Sequence, residues 1–176
     1  LESVQIINGS GTHLLGLLND ILEMSKIEAG HTVLTPAPYD PRELLRELTV
    51  LFGPRVAEKG LTLRHHVAPE VPRCVIGDAA KVRQVLVNLL GNAIKFTETG
   101  GITIRARVEG DSPESAHLVI DVEDTGLGIA PAELDKIFVK FQQSESGRIA
   151  ATGTGLGLAI SREFSLLMGG DLVVHS

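Results

Sequence analysis

Tryptophan is absent from these 176 residues and tyrosine occurs once, which argues against a protein that stacks nucleobases on aromatic platforms. Cations are also in short supply, with 16 Lys and Arg set against 22 Asp and Glu for a net charge of −6. Affinity for nucleic-acid backbones comes from clustered cations, so no nucleic-acid partner is expected, and any bound anion must be held locally. The single cysteine, Cys74, excludes an internal disulfide and a cysteine-built zinc site; it reads as a small buried apolar residue. There is no run of 18 apolar residues and no signal peptide, so the segment reads as soluble, without membrane contact of its own, and leaves open a membrane-anchored parent. Internal repeats and low-complexity tracts are missing too. What is present is 43% hydrophobic and 22% charged residues, an ordinary globular balance in a chain long enough for one domain with a sizeable core plus an appendage.

The first segment, to about Ala29, is helical in pattern: Val4, Ile7, Leu14, Leu18 and Ile21 form one stripe, broadened by Leu15, Leu17 and Leu22. Gly9 and Gly11 interrupt it and suggest close approach to a neighbour or a weak spot, and Gly30 supplies a stop. So much apolar surface on one helix requires a bundle or a dimer seam. Residues 31–40, rich in proline, read as a linker into an edge strand. Asp40-Pro41 caps a second helix with Leu44, Leu45, Leu48, Leu51 and Phe52 inward. A strand over Leu61–Val67, a turn and a short strand near Val75 follow. Two alternating strands, Ile102–Val108 and Leu118–Glu123, joined by a hairpin turn at Asp111–Glu114, imply a sheet covered on one face and wet on the other. Pro131 starts a short helix, residues 142–151 read as a mobile lid, and the chain reaches Ser176 in an apparent strand.

Between them, Asp78 caps a helix whose apolar face is Val82, Val85, Leu86, Leu89 and Ala93. A polar strip crosses that helix: Lys81, Gln84, Asn88, Asn92 and Lys95 stand one above another. It is either a solvated edge or the wall of a pocket for an anion with a metal ion. By alternation Asp124 shares the side of Leu118, Ile120 and Val122, so a carboxylate is aimed at the covered face directly before Gly126 and Gly128. A charge there needs a partner; it either caps the turn or accepts from an exocyclic amine, which favours adenine over guanine. Gly126 and Gly128 let backbone approach a flat ring. Finally Gly153-Thr154-Gly155-Leu156-Gly157 feeds a helix N-terminus, a ready anion site. It lacks the Lys-Ser/Thr of a Walker loop and follows no clear strand, which disfavours P-loop and Rossmann readings.

In order, Asn88-xxx-Asn92, Asp124-x-Gly126-x-Gly128, Phe138-xx-Phe141 and Gly153-x-Gly155-x-Gly157 resemble the catalytic ATP-binding domain of bacterial sensor histidine kinases, in the superfamily that includes gyrase, heat-shock chaperone ATPases and MutL. The likeness implies an α/β fold, a two-layer α/β sandwich of the Bergerat ATP-binding type, preceded by one long bundle-type helix. Residues 1–30 would be the second helix of a dimerisation and histidine-phosphotransfer hairpin, and residues 31–176 the catalytic domain with its final strand lacking. It implies ATP with Mg2+ as cofactors: Asn92, assisted by Asn88, on the metal; Lys95 on phosphate oxygens; Asp124 on the adenine amine with Gly126 and Gly128 against the ring; Phe141 near the nucleotide. Gly153, Thr154, Gly155, Leu156 and Gly157 would receive the phosphates, and Arg148 would reach the γ-phosphate. The implied partners are the phosphoacceptor helix of the same protein, a response regulator and a second copy of the parent, in the cytoplasm.

The sequence departs from that family in one respect above all: no histidine is followed by Glu or Asp and then Arg-x-Pro. The acceptor is therefore expected outside this chain, which reads as a fragment of a longer kinase. Lys140 stands where a proline is frequent between the two phenylalanines. Two other readings compete. A hydrolase of the same superfamily places Glu where Asn88 stands, to activate water, and an amide cannot act as that base. A pseudokinase or scaffold would keep the nucleotide boxes without transferring phosphate.

Overall fold

The computed structural model describes the backbone of residues 2–110, 116–142 and 154–176. The elements in order are α1 (Glu2–Glu28), β1 (Ala37–Tyr39), α2 (Pro41–Glu58), β2 (Thr62–Val67), β3 (Val75–Gly77), α3 (Ala79–Phe96), β4 (Gly101–Glu109), β5 (His117–Asp124), a 3-10 turn (Pro131–Glu133) and α4 (Gly157–Leu167). They fall into two compact units, Thr35–Ile129 with Ser176, and Leu1–Leu34 with Ala130–His175.

In the first unit three strands pair in the order β2-β4-β5, with β2 parallel and β5 antiparallel to β4. A second, two-stranded sheet joins β1 to β3. Ile102, Ile104 and Ala106 alternate inward along β4 and are at most 1% exposed. Leu45, Leu48 and Phe52 of α2 and Leu86, Leu90 and Ile94 of α3 cover them in one core, a two-layer α/β arrangement. Each of the leucine, isoleucine and phenylalanine side chains contributes about 1.5–3 kcal/mol by leaving water. The other face is wet: Arg105 pairs with Glu123 and Arg107 with Asp121, exposed pairs worth about 0–1 kcal/mol.

The helix starts are set by the residues the sequence singles out. The Asp40 carboxylate accepts from Arg42 N at 2.8 Å, and Pro41 occupies the first turn of α2. Asp78 accepts from Lys81 N at 3.0 Å and, across the fold, from Thr35 N at 2.9 Å. Those backbone donors, Thr35 first and then Lys81 and Ala80, hold the Asp78 carboxyl below its ordinary pKa although its burial opposes them.

Three expectations are corrected. Leu51 is 59% exposed, since it stands one step round the helix from Phe52 and beyond the stripe that α2 turns to the sheet. Cys74 is exposed in the turn before β3, where Val71, 2% exposed, supplies the inward apolar group. Residues 171–176 are not in a strand, because a ladder requires a paired neighbour and they have none among the described residues.

In the second unit α1 is continuous from Glu2 to Glu28 and packs on α4. Met24, 5% exposed, lies on its docked side, and Lys140 pairs with Glu28. Leu14, Leu15, Leu18, Ile21 and Leu22 remain exposed, so the apolar stripe that the sequence shows is not consumed within this chain.

Candidate functional site

The polar strip on α3 is a half-buried border between core and water: Lys81, Asn88, Asn92 and Lys95 are partly covered and Gln84 is exposed. The neighbouring stripe of Val85, Leu86, Leu90, Ala93 and Ile94 is buried, which fixes the rotation of the helix and hence the direction of the strip. Burial pushes the Lys95 ammonium below its ordinary pKa, so the charged form is under-solvated there. Its Nζ lies 4.6 Å from the centre of the Phe96 ring.

The last turn of α3 reaches the end of β5. The register pairs Asp124 with Ile102, so Asp124 stands on the helix-covered side as alternation requires. The residue is nevertheless exposed, because it ends the strand and nothing further along β5 shields it. The buried charge expected from the sequence does not arise, and the carboxylate stays hydrated. Oδ1 accepts from Gly126 N at 2.8 Å and from the Thr97 hydroxyl at 3.5 Å. Oδ1 thus caps the turn, while Oδ2 has no partner among the described residues. Gly126 is required by a close approach: a Cβ there would sit 2.6 Å from the Phe96 carbonyl oxygen. Gly128 has φ +70°, a conformation that glycine adopts without strain. The structure thus brings together the end of α3, Asp124 and the Gly126–Gly128 turn.

The second unit holds the other candidate residues. Thr154 Oγ1 accepts from Leu156 N at 3.0 Å and donates to Asp20 Oδ2 at 2.9 Å. Leu156 is fully buried, which anchors the start of α4. Gly155 has φ +70°, and a Cβ on it would lie 3.0 Å from the Gln142 carbonyl oxygen; Phe141 N donates to Gly155 O at 3.1 Å. Phe141 is itself left-handed, φ +62°, and 69% exposed. Phe138 lies under the Arg162 guanidinium at 4.9 Å, a packing role. Arg148 and Gly153 lie outside the described residues, as does all but Gln142 of the stretch read as a lid. Two contacts at the end of α3 escape sequence reasoning. Thr97 stands one residue after the helix, which is a usable signal for its bond to Asp124. Lys59 Nζ donates to Ile94 O, 35 residues away in sequence, and nothing local signals that contact.

Oxygen donors suit Mg2+, which keeps several waters and takes few protein ligands alongside substrate phosphates. Two carboxamides on one strip, a partly desolvated lysine and a carboxylate with one oxygen to spare fit Mg-ATP in that sense.

Comparison with known proteins agrees in kind. The family described as histidine kinase-, DNA gyrase B- and HSP90-like ATPase matches residues 77–176. Sensor histidine kinase GacS of Pseudomonas protegens is 38% identical over 100% of this chain and 19% of its own length. Signal transduction histidine-protein kinase BarA of Escherichia coli is 36% identical over 99% of the chain and 19% of its own length. The chain thus spans about a fifth of these relatives. Among solved structures, full-length ShkA in complex with AMPPNP superposes with a TM-score of 0.81 at 37% identity, over 96% of this chain and 34% of that one. Histidine kinase ThkA, solved with the response regulator TrrA, gives 0.69 at 26% identity, over 96% and 45%.

Proposed function

We propose that this chain, which belongs to the histidine kinase-, DNA gyrase B- and HSP90-like ATPase family, is the ATP-binding catalytic part of a two-component sensor histidine kinase. It positions Mg-ATP for γ-phosphoryl transfer to a histidine outside these residues, for relay to a response-regulator aspartate. The observation that carries the reading is the junction of α3 with β5, where Gly126 abuts the Phe96 carbonyl and Asp124 keeps one carboxylate oxygen open.

In this reading Oδ2 of Asp124 accepts from the adenine amine, whereas guanine would set a carbonyl against it. Asn92 and Asn88 hold Mg2+ through their carboxamide oxygens; the ion, when bound, neutralises phosphate charge. Lys95 meets the phosphates, an anion restoring the solvation that burial removes. By the same resemblance Gly153, Thr154, Gly155, Leu156 and Gly157 would receive the phosphates, and Arg148 would contact the γ-phosphate. Phosphoryl transfer is mostly positioning and charge neutralisation, so these groups suffice on the nucleotide side, and the attacking imidazole comes from the histidine outside these residues as ADP leaves. At Asn88 an amide stands where water-activating relatives keep a carboxylate, which favours transfer to protein over hydrolysis. The exposed leucines of α1 support its role as the association face of a dimeric parent, one that works in the cytoplasm with a response regulator as partner.

Calorimetric titration of Mg-ATP into the protein and into Asn92→Asp and Asp124→Asn variants tests binding. The wild type is expected to saturate, and each variant to bind more than about tenfold more weakly; unchanged affinity in both sinks the proposal. Mixing with a separately made acceptor hairpin and γ-labelled ATP tests transfer. Acid-labile, base-stable label on the hairpin is the expected result, and its absence leaves binding without kinase activity.

A further inference from the structure

We infer that Lys59 is a positioning residue of the nucleotide site, neutralising the carbonyl end of α3 so that polyphosphate can be held beside it. The inference rests on the ATP reading above. An α-helix ends in carbonyls without intrahelical partners, and its aligned peptide dipoles leave about half a negative charge at that end. In α3 this end carries Asn92 and Lys95, the groups assigned to Mg2+ and phosphate, so uncorrected it would repel the ligand it serves.

Lys59 comes from elsewhere to correct it. Its Nζ donates to Ile94 O at 2.7 Å and to Lys95 O at 3.3 Å. It is held there by the end of α2: Leu61 N bonds Val56 O at 3.0 Å, Gly60 N bonds Ala57 O at 2.9 Å, and Gly60 has φ +69°. This is a Schellman stop, in which Lys59 is the last residue before the left-handed glycine. The remaining contacts of the turn reinforce the placement. Thr97 N closes on Ala93 O at 3.1 Å, and the Phe96 carbonyl faces Gly126. The same turn that receives the ammonium therefore also sets the position of the Asp124 loop. Because Lys59 is solvent-exposed, its field is open to screening by salt.

Charge and hydrogen bonding separate by substitution. Lys59→Gln keeps a donor and removes the charge; Lys59→Arg keeps both. Mg-ATP, Mg-ADP and adenosine are titrated into each at low and high salt. Lys59→Gln is expected to weaken ATP about three- to fivefold, ADP less and adenosine not measurably, with the ATP deficit shrinking in salt and Lys59→Arg behaving as wild type. An equal loss on all three ligands marks a merely structural residue and overturns the inference, as does no loss on ATP. A wild type that binds none of them fails the ATP reading itself, and the role of Lys59 with it.

Discussion

At Asp124 one carboxylate oxygen is spent on the Gly126 N–H and the Thr97 hydroxyl, and base discrimination depends on the other. Asp124→Asn presents an amide donor and acceptor in place of two acceptors, so preference for ATP over GTP is expected to collapse to within about threefold, measured by competition titration. Lys95 makes a second prediction with two signs. Burial lowers its pKa below 10.5, so the unfolded chain binds more protons across the window between the two values. Ligand-free stability should therefore rise with pH there. ATP affinity should fall over the same window as the ammonium deprotonates, and Lys95→Met should remove that limb of the affinity profile. Parallel titrations and denaturant melts across alkaline pH check both.

Among the elements, α3 carries most of the consequence, and its start is fixed by a buried carboxylate 6% exposed. Asp78→Ala removes the cap and the tie to Thr35, and is expected to cost about 1–2 kcal/mol in urea unfolding at neutral pH. The sign with pH follows from a pKa held below 3.8. The contribution is complete above the ordinary carboxylate value and disappears as pH falls through the depressed one. Asp78→Asn should keep most of the cap but flatten that acid limb; an unchanged limb would assign the acid sensitivity to another group. At its other end α3 depends on partners distant in sequence, Lys59 and Gly126, which is why the two helix ends were so unequally readable. An N-cap acts within three residues, whereas the carbonyl end was completed by side chain and backbone from other elements.

For the molecule as a whole, the exposed face of α1, with Leu14 at 57% and Leu22 at 58%, predicts association. Leu14→Ser with Leu18→Ser should convert a concentration-dependent dimer to a monomer in sedimentation equilibrium while leaving ATP affinity intact; identical profiles for both proteins would remove the dimer seam. No helix among the described residues is long and apolar enough to cross a membrane. By itself the sequence determined the elements other than the strand expected at residues 171–176, the helix caps, the covered and wet faces of the sheet and the ordered boxes that belong to this ATPase family, because periodicity, capping and glycine turns act over a few residues. Alternation assigned Asp124 its side correctly but could not tell that the strand ends there, so the expected buried charge turned out hydrated. Leu51 and Cys74 were misplaced for the same reason: periodicity and composition propose apolar positions, but how far a stripe extends and which turn residue points inward are settled by what packs opposite. Only the tertiary structure placed the Phe96 carbonyl against Gly126 and the ammonium of Lys59 on the end of α3, since contacts between residues 30 or more positions apart leave no local pattern to read.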